Sequence, residues 1–422
     1  MGAKEAGRAA ERVARESYGR LLAFLAARTR DVAGAEDALS DAFATALRTW
    51  PVQGVPDNPD AWLLTAARRR QTDAARHMQV QNAGQSHLQL IADELEAMSD
   101  DPNAIPDRRL ALMFACAHPA IERSMRTPLI LQTILGLTSD DIAAVFLVPP
   151  KTMGQRLVRA KNRLRDAGIP LRVPDQQDRP ERLAAVLDAI YAAYTKDWNE
   201  MNDDAIAALT DEAIWLGRLV VSLLPAEPEA KGMLALMLYT RARVAARRDA
   251  AGAYVPLEEQ DTALWDPSLI ALAENLLRQA NASGPSGRYQ IEAAIQSAHV
   301  ARRLTRTPNW HAIVALHDHL LAVTGSPVVI LNRAVARAET DGPRVALADL
   351  APLETDKRLQ SYQPYWAAKG HLLLRAGDTA HAVEALTVAI GLTTDESVKG
   401  YLKARLLPFT EHSGTLISQA QR

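Results

Sequence analysis

Thr138-Ser139-Asp140-Asp141-Ile142-Ala143-Ala144-Val145-Phe146, Leu147-Val148-Pro149 and Pro150-Lys151-Thr152-Met153-Gly154-Gln155-Arg156-Leu157-Val158-Arg159-Ala160-Lys161-Asn162-Arg163-Leu164-Arg165 read as helix, turn and helix. Ser or Asp ahead of an apolar-periodic run starts a helix, and Pro suits the first helical position, where its missing N–H has no intrahelical partner to lose. Ile142, Phe146, Leu157 and Leu164 are spaced to share a small core, and Ala143 and Ala144 let two helices approach closely. The opposite face of the second helix carries Lys151, Arg156, Arg159, Lys161, Arg163 and Arg165 with no acidic residue among them. Such a helix fits along phosphates, with Thr152, Gln155 and Arg156 near its N-terminal end, where base edges are reached. A solvated basic helix has the same composition, and Gly154 inside the helix costs about 1 kcal/mol relative to Ala.

The totals set bounds. A chain of 422 residues is too long for one core, so about two to four domains are expected. With 48 Lys+Arg against 50 Asp+Glu, the net charge of −2 confines any nucleic-acid surface to a local patch. The single cysteine, Cys116, excludes intramolecular disulfides and multi-cysteine metal sites, which fits a reducing compartment. No apolar run approaches the roughly 18 residues of a membrane span, and the charged N-terminus lacks a signal-peptide core, so a cytoplasmic location is expected. Abundant Ala, Leu and Arg with only 5% aromatic residues predict an all-α chain.

Upstream, two amphipathic helices are expected from about Ala9 to Leu47, parting near Arg30-Asp31-Val32-Ala33. The second buries Ala38, Leu39, Ala42, Phe43 and Ala46 and leaves Glu36, Asp37 and Asp41 outward, either as a solvated face or as a surface for a basic partner. Trp50 to Pro59 holds three prolines and a glycine and is predicted to be a loop. A helix starting at Asp60 or Ala61 then runs to Arg76, anchored by Trp62 and basic at Arg68, Arg69, Arg70 and Arg76. A Pro-rich loop beside a basic helix suits unstacked single-stranded bases, and equally suits a structural turn in a bundle.

Ala35-Glu36-Asp37-Ala38-Leu39-Ser40-Asp41-Ala42-Phe43, Pro59-Asp60-Ala61-Trp62-Leu63 and Arg68-Arg69-Arg70 to Asp73 and Arg76 together resemble region 2 of the extracytoplasmic-function (ECF) sigma factors of the sigma-70 family. Thr138 to Arg165 resembles region 4 of the same family, and the two motifs stand in the right order. Pro106 to Ala120, Phe146 to Pro149, Gln155 to Lys161 and Arg165-Asp166-Ala167-Gly168-Ile169-Pro170 to Pro174 are similar to the ECF42 group, which carries a tetratricopeptide-like C-terminal extension. Pro150 and Gly154 depart from that pattern. The resemblance implies core RNA polymerase, through its β′ clamp helices and β flap, and promoter DNA as partners. It implies polymerase docking by Glu36, Asp37, Asp41, Phe43 and Trp50, and capture of the −10 element by Val55, Asp57, Asn58, Trp62, Arg68, Arg69, Arg70, Asp73 and Arg76. Reading of the −35 element would fall to Lys151, Thr152, Gln155, Arg156, Arg159, Lys161 and Arg163.

The expected organisation is region 2 over residues 8–77, a flexible acidic linker over 78–105, region 4 over 106–174 and a regulatory extension over 178–415. The linker's composition allows one short helix around Leu88 to Met98. The extension reads as a series of helices broken at Pro and Gly. Trp366, Gly370, Gly377, Ala382 and Ala389 fit the aromatic, small, turn and small positions of the ~34-residue tetratricopeptide pattern, whereas Ile330 to Leu353 fits it poorly. An α-solenoid of degenerate repeats follows. His311, His317 and His319 do not share a helix face, so a metal site is not expected there. The acidic run Glu258-Glu259-Gln260-Asp261 through Trp265-Asp266 is either a charged helix start, or an internal contact with a basic surface or a small-ligand site. With no Gly-rich phosphate loop, Ser/His/Asp arrangement or paired-carboxylate motif, neither enzyme activity nor a cofactor is expected. The alternative function is a helix-turn-helix regulator that binds its operator without polymerase and senses a ligand or peptide through the solenoid.

Overall fold

The computed structural model describes residues 3–79, 107–146, 148–175, 178–199, 204–282 and 286–419. These form nineteen α-helices with no β-strand among the described residues, where extended pairing is limited to one antiparallel bridge between Arg248 and Tyr254. The chain is all-α. The short helix expected around Leu88 to Met98, like nearly all of the linker, lies outside the described residues. The fold divides into two packed units, residues 3–198 with 204–213, and residues 214 onward.

The first unit begins with three mutually packed helices, α1 (Ala3–Thr29), α2 (Val32–Gln53) and α3 (Pro59–Gln79). Asp31 caps α2 by accepting from the Gly34 amide at 3.1 Å, and Asn58 caps α3 by accepting from the Ala61 amide at 3.0 Å. Leu21, Leu22, Leu25, Leu39, Trp50 and Leu63 fill the space between them. The loop expected from Trp50 starts later than the sequence predicts. Pro51 lies inside α2, whose last turn is held by the fully buried Trp50 and closed by the Gly54 amide donating to the Trp50 carbonyl at 2.9 Å. One proline removes a single donor, and the buried indole outweighs it.

Four further helices complete this unit's core: α4 (Arg109–Cys116), α5 (Arg123–Leu135), α6 (Ser139–Phe146) and α7 (Pro150–Asp166). The α5 helix ends on Gly136 at φ 64°, a left-handed position where glycine carries no steric penalty. Thr138 and Asp141 cap α6 reciprocally, the Thr138 amide donating to Asp141 Oδ2 at 3.2 Å and the Asp141 amide to Thr138 Oγ1 at 3.2 Å. Ile142, Met153, Leu157, Ala160, Leu164 and Ile169 are buried beneath α6 and α7. Phe146, assigned to this core from its spacing, is only half-buried, and Met153 takes the larger share. Cys116 is enclosed, and burial pushes its thiol up to about 12. The first unit extends past the boundary expected at 174–178. Arg126 donates to Glu181 on α8 (Arg179–Asn199) at 2.7 Å, and Arg109 donates to Glu212 on α9 (Asp204–Leu223) at 2.6 Å.

In the second unit most helices pack on a neighbour in the chain. The series is the rest of α9, then α10 (Pro228–Ala242), α11 (Pro267–Asn281), α12 (Arg288–Val300), α13 (Arg302–Thr305), α14 (Trp310–Thr324), α15 (Pro327–Thr340), α16 (Pro343–Leu350), α17 (Gln363–Ala376), α18 (Thr379–Leu392) and α19 (Glu396–Gln419). The five positions picked out by the repeat pattern fall on one helix pair. Gly370 lets α17 approach Leu386 of α18, where a Cβ would sit 2.7 Å from Leu386 Cγ; Gly377 turns at φ 85°, and Ala382 and Ala389 are wholly buried. The acidic run is spent within this unit. Arg302 donates to the carbonyls of Glu258 and Gln260 at 2.8 and 3.1 Å and lies over the Trp265 ring, Arg405 donates to Glu259 at 3.1 Å, and Asp266 caps α11. Of the three histidines, His317 is buried while His311 and His319 are exposed, so they do not converge.

A Cβ on Gly154 would meet only Ser139 at 3.8 Å, ordinary contact, and the backbone there is helical. Gly154→Ala is therefore expected to stabilise the protein by about 0.5–1 kcal/mol, read as a rise in the urea midpoint; a fall would show that the helix needs the glycine.

Candidate nucleic-acid interface

Two surfaces of the first unit collect the residues singled out from the sequence. One is a cleft of about 660 Å³ between α2 and α3, lined by Asp41, Thr45, Pro56, Asn58, Trp62, Thr65, Arg69, Arg70 and Asp73 among others. Trp62 stands half-exposed at its floor, its ring packed edge-to-face on Trp50 with centroids 5.5 Å apart. Trp50 itself is 1% exposed, so it offers no contact surface and acts by holding Trp62. Arg70 reaches across the mouth to Asp41 at 3.5 Å, both side chains more than half exposed, a contact of little energy that a ligand displaces easily.

The remaining residues assigned to the −10 element divide. Asp57 and Asn58 are exposed and Val55 is half-buried in the connecting loop, with the Asn58 carboxamide oxygen occupied in capping α3. Arg68 does not line the cleft; its guanidinium lies 4.9 Å from the Phe24 ring centroid and joins α3 to α1. The side chain of Arg76 is outside the described residues. Thr45, Pro56 and Thr65 were missed from sequence, although Trp62, Thr65, Arg69 and Asp73 repeat at helical spacing and so share one face.

The second surface is the outer face of α7. Lys151, Gln155, Arg156, Arg159, Arg163 and Arg165 are exposed and Thr152 is half-buried. Arg156, Arg159 and Arg163 line a groove of about 410 Å³ against Ala120, Ile121, Glu122 and Met125, the loop and helix start preceding the α6–α7 pair. Three guanidiniums on one side of a groove form an anion track. The Ala120–Met125 wall, which includes Glu122, carries no motif that marks it in the sequence.

Lys161 behaves differently from its neighbours. It turns inward and pairs with Glu36 of α2, leaving the two side chains 12% and 14% exposed. Glu36, expected to face outward with Asp37 and Asp41, is thus enclosed; Asp37 and Asp41 are exposed and Phe43 is half-buried. The Tyr18 hydroxyl also bonds to Glu36, and burial, followed by the Glu36 charge, raises the phenol well above its usual range.

Residues 13–79, the α1–α3 bundle from the third turn of α1 onward, match sigma-70 region 2, and residues 182–281 match a family of unknown function, DUF6596. The chain is similar to the sigma-70 family of sigma factors over this bundle, in the part called region 2. More particularly, it is 37% identical over 394 residues to an uncharacterized protein of Rhizobium meliloti, an alignment covering 92% of this chain and 93% of the other. No solved structure matches it. No helix among the described residues is long and apolar enough to cross a membrane.

Removing one member of an enclosed ion pair strands the other charge. Lys161→Ala is expected to cost roughly 3 kcal/mol of stability, whereas Arg159→Ala on the same helix costs under about 0.5 kcal/mol. Urea unfolding of the two variants measures this, and equal midpoints would show that the Glu36–Lys161 pair contributes nothing.

Proposed function

We propose that the protein is an ECF-type sigma factor that binds core RNA polymerase and directs initiation at specific promoters, with its C-terminal helices modulating that activity. The observation that carries the reading is the α2–α3 cleft. It lies within the segment matched to region 2 and combines an aromatic ring, Trp62, with Asn58, Arg69 and Arg70 at its rim. An unstacked base has a π-face for the indole and a backbone phosphate for the arginines, and this is how sequence-tolerant capture of a single strand is built. In this reading Val55, Asp57, Asn58, Trp62, Arg69, Arg70 and Asp73 receive the melted −10 element, and Arg68 supports them from behind. The exposed Asp37 and Asp41 meet basic residues of the β′ clamp helices.

The α7 helix serves the −35 element. Its exposed Lys151, Arg156, Arg159 and Arg163 run along phosphates, while Thr152 and Gln155, in the first turns, reach base edges in the major groove. The β flap is the polymerase partner for this part of the unit. The second unit supplies regulation, as a stack of tetratricopeptide-like helix pairs in the manner of the ECF42 group; α17 and α18 support this with the close approach at Gly370 and the buried Ala382 and Ala389.

Purified protein is expected to capture bacterial core RNA polymerase, and the Asp37→Arg/Asp41→Arg variant to lose at least about tenfold in affinity, equivalent to ~1.4 kcal/mol. If wild type fails to capture polymerase yet binds duplex DNA alone, the polymerase-independent regulator is the correct reading. For promoter duplex, Arg156→Ala or Arg163→Ala should weaken binding almost equally across sequences and lower the salt slope by about one, whereas Gln155→Ala should relax base choice. A gel-shift salt series in which the three variants behave alike would refute the division of roles along α7.

A further inference from the structure

In the second unit the segment that joins α10 to α11 doubles back on itself. The Val255 amide donates to the Arg247 carbonyl at 2.8 Å and the Asp249 amide to the Ala253 carbonyl at 3.0 Å. The Asp249 carboxylate accepts from the Ala251 and Ala253 amides at 2.9 Å each. Gly252 takes the turn at φ 81°, a left-handed position. This small hairpin is shaped by its own bonds, which leaves its longer side chains to serve elsewhere.

They serve on the last helix of the unit. Arg248 pairs at 3.3 Å with Asp395, 147 positions further along the chain. Asp395 is also the residue that starts α19, accepting from the Ser397 and Val398 amides at 2.8 and 3.3 Å. Tyr254 packs edge-to-face on Tyr401, with ring centroids 5.5 Å apart, and just beyond the hairpin Glu259 accepts from Arg405 at 3.1 Å. The end of a helical stack has a neighbour on one side alone and opens first. Here three contacts tie that end back to the layer that follows α10.

Arg405 is the centre of the tie. Its guanidinium lies 5.1 Å from the Tyr401 ring centroid, meets Glu259 through Nη2 and reaches Nδ1 of His371 on α17 through Nη1 at 3.0 Å. A guanidinium only donates, so Nδ1 accepts and the imidazole is neutral, with its proton on Nε2. The charges that face His371 are Arg405 from α19, Arg375 from its own helix, Glu339 from α15 and Glu259 from the segment after the hairpin. Both carboxylates are already engaged, Glu339 by Arg375 and Glu259 by Arg405. Burial, followed by the two guanidiniums, holds the imidazole below its ordinary range. A proton on Nδ1 converts the acceptor into a donor and sets two cations 3.0 Å apart. The closed form thus binds that proton less readily than an open one. The tie is whole above about pH 6.5, the ordinary histidine value, and weakens as pH falls below it.

We infer that residues 247–259 form a clasp that fastens the α10–α11 layer to the last helix, and that a proton on His371 unfastens it through Arg405. The clasp lies wholly within the second unit and works in the same way whether or not the chain meets polymerase.

Hydrogen–deuterium exchange of the full-length protein, followed by mass spectrometry at pH 7.5, 6.5 and 5.5 with exchange times scaled to the intrinsic rate, tests this. The peptides that matter cover 247–260 and 396–406, with α10 as the internal reference. In wild type, protection of both peptides is expected to fall at least tenfold from pH 7.5 to 5.5 while α10 changes less than twofold. His371→Gln, whose carboxamide oxygen can still accept from Arg405 but takes no proton, should hold the two peptides within twofold over the same range. Arg405→Gln should lower their protection at least tenfold already at pH 7.5, which gives an independent reading that does not depend on the histidine variant. Wild-type protection that stays within twofold, a fall of equal size in His371→Gln, or a matching fall in α10 would each overturn the inference. So would Arg405→Gln protein whose 247–260 peptide is as protected as that of wild type.

Discussion

Gly19 carries no side chain because the carbonyl of Ile134 stands where one would be. That single close approach sets how deeply α1 settles onto α5, and the depth decides the rest. Tyr18 is brought over Gly136, its hydroxyl reaches Glu36, and Glu36 in turn meets Lys161. A larger residue at 19 would lift the helices apart along the whole line, since packed interiors transmit a displacement of one methyl group rather than absorb it. The left-handed turn at Gly136 is equally specific, because a Cβ there would carry backbone strain and crowd the Tyr18 ring.

Two kinds of charge are therefore present on α7, and exposure separates them. The arginines at 156, 159 and 163 are open to solvent, weakly coupled to stability and available to a polyanion. Lys161, two residues from Arg159 and Arg163, is committed to the interior of the unit. The same division holds on α3, where Arg69 and Arg70 border the cleft and Arg68 lies over Phe24. A run of consecutive basic residues thus performs distinct physical tasks, set by the hundred degrees or so that each step turns around a helix.

The helices, the capped start at Thr138, the turn before Pro150 and the cleft-forming Trp62, Arg69 and Arg70 were legible because each depends on residues within a few positions of one another. The α17–α18 pair was legible for a related reason: Gly370, Gly377, Ala382 and Ala389 are small because another helix lies against them, and their spacing records it. What could not be read was long-range. Glu36 and Lys161 are 125 positions apart, and both belong to amphipathic faces where an outward charge is the default expectation. Trp50 was assigned a partner through the family resemblance, while its burial depends on α3 folding back so that Trp62 packs on it. Phe146 and Met153 exchanged importance because side-chain volume alone does not fix which of two neighbours enters a core.

The buried guanidiniums of Arg109 and Arg126 have a consequence for the lineage of such proteins. Each draws a carboxylate, Glu212 or Glu181, from helices that lie beyond α7. Glu181 falls just ahead of the stretch matched to the family of unknown function, and Glu212 falls inside it. Arg109 and Arg126 lie between the two matched segments, and their ion pairs tie helices before residue 177 to helices after it. A chimera that exchanges C-terminal halves between relatives has to carry residues 179–213 with the N-terminal parent, because a junction at residue 177 would hand both arginines to a stranger.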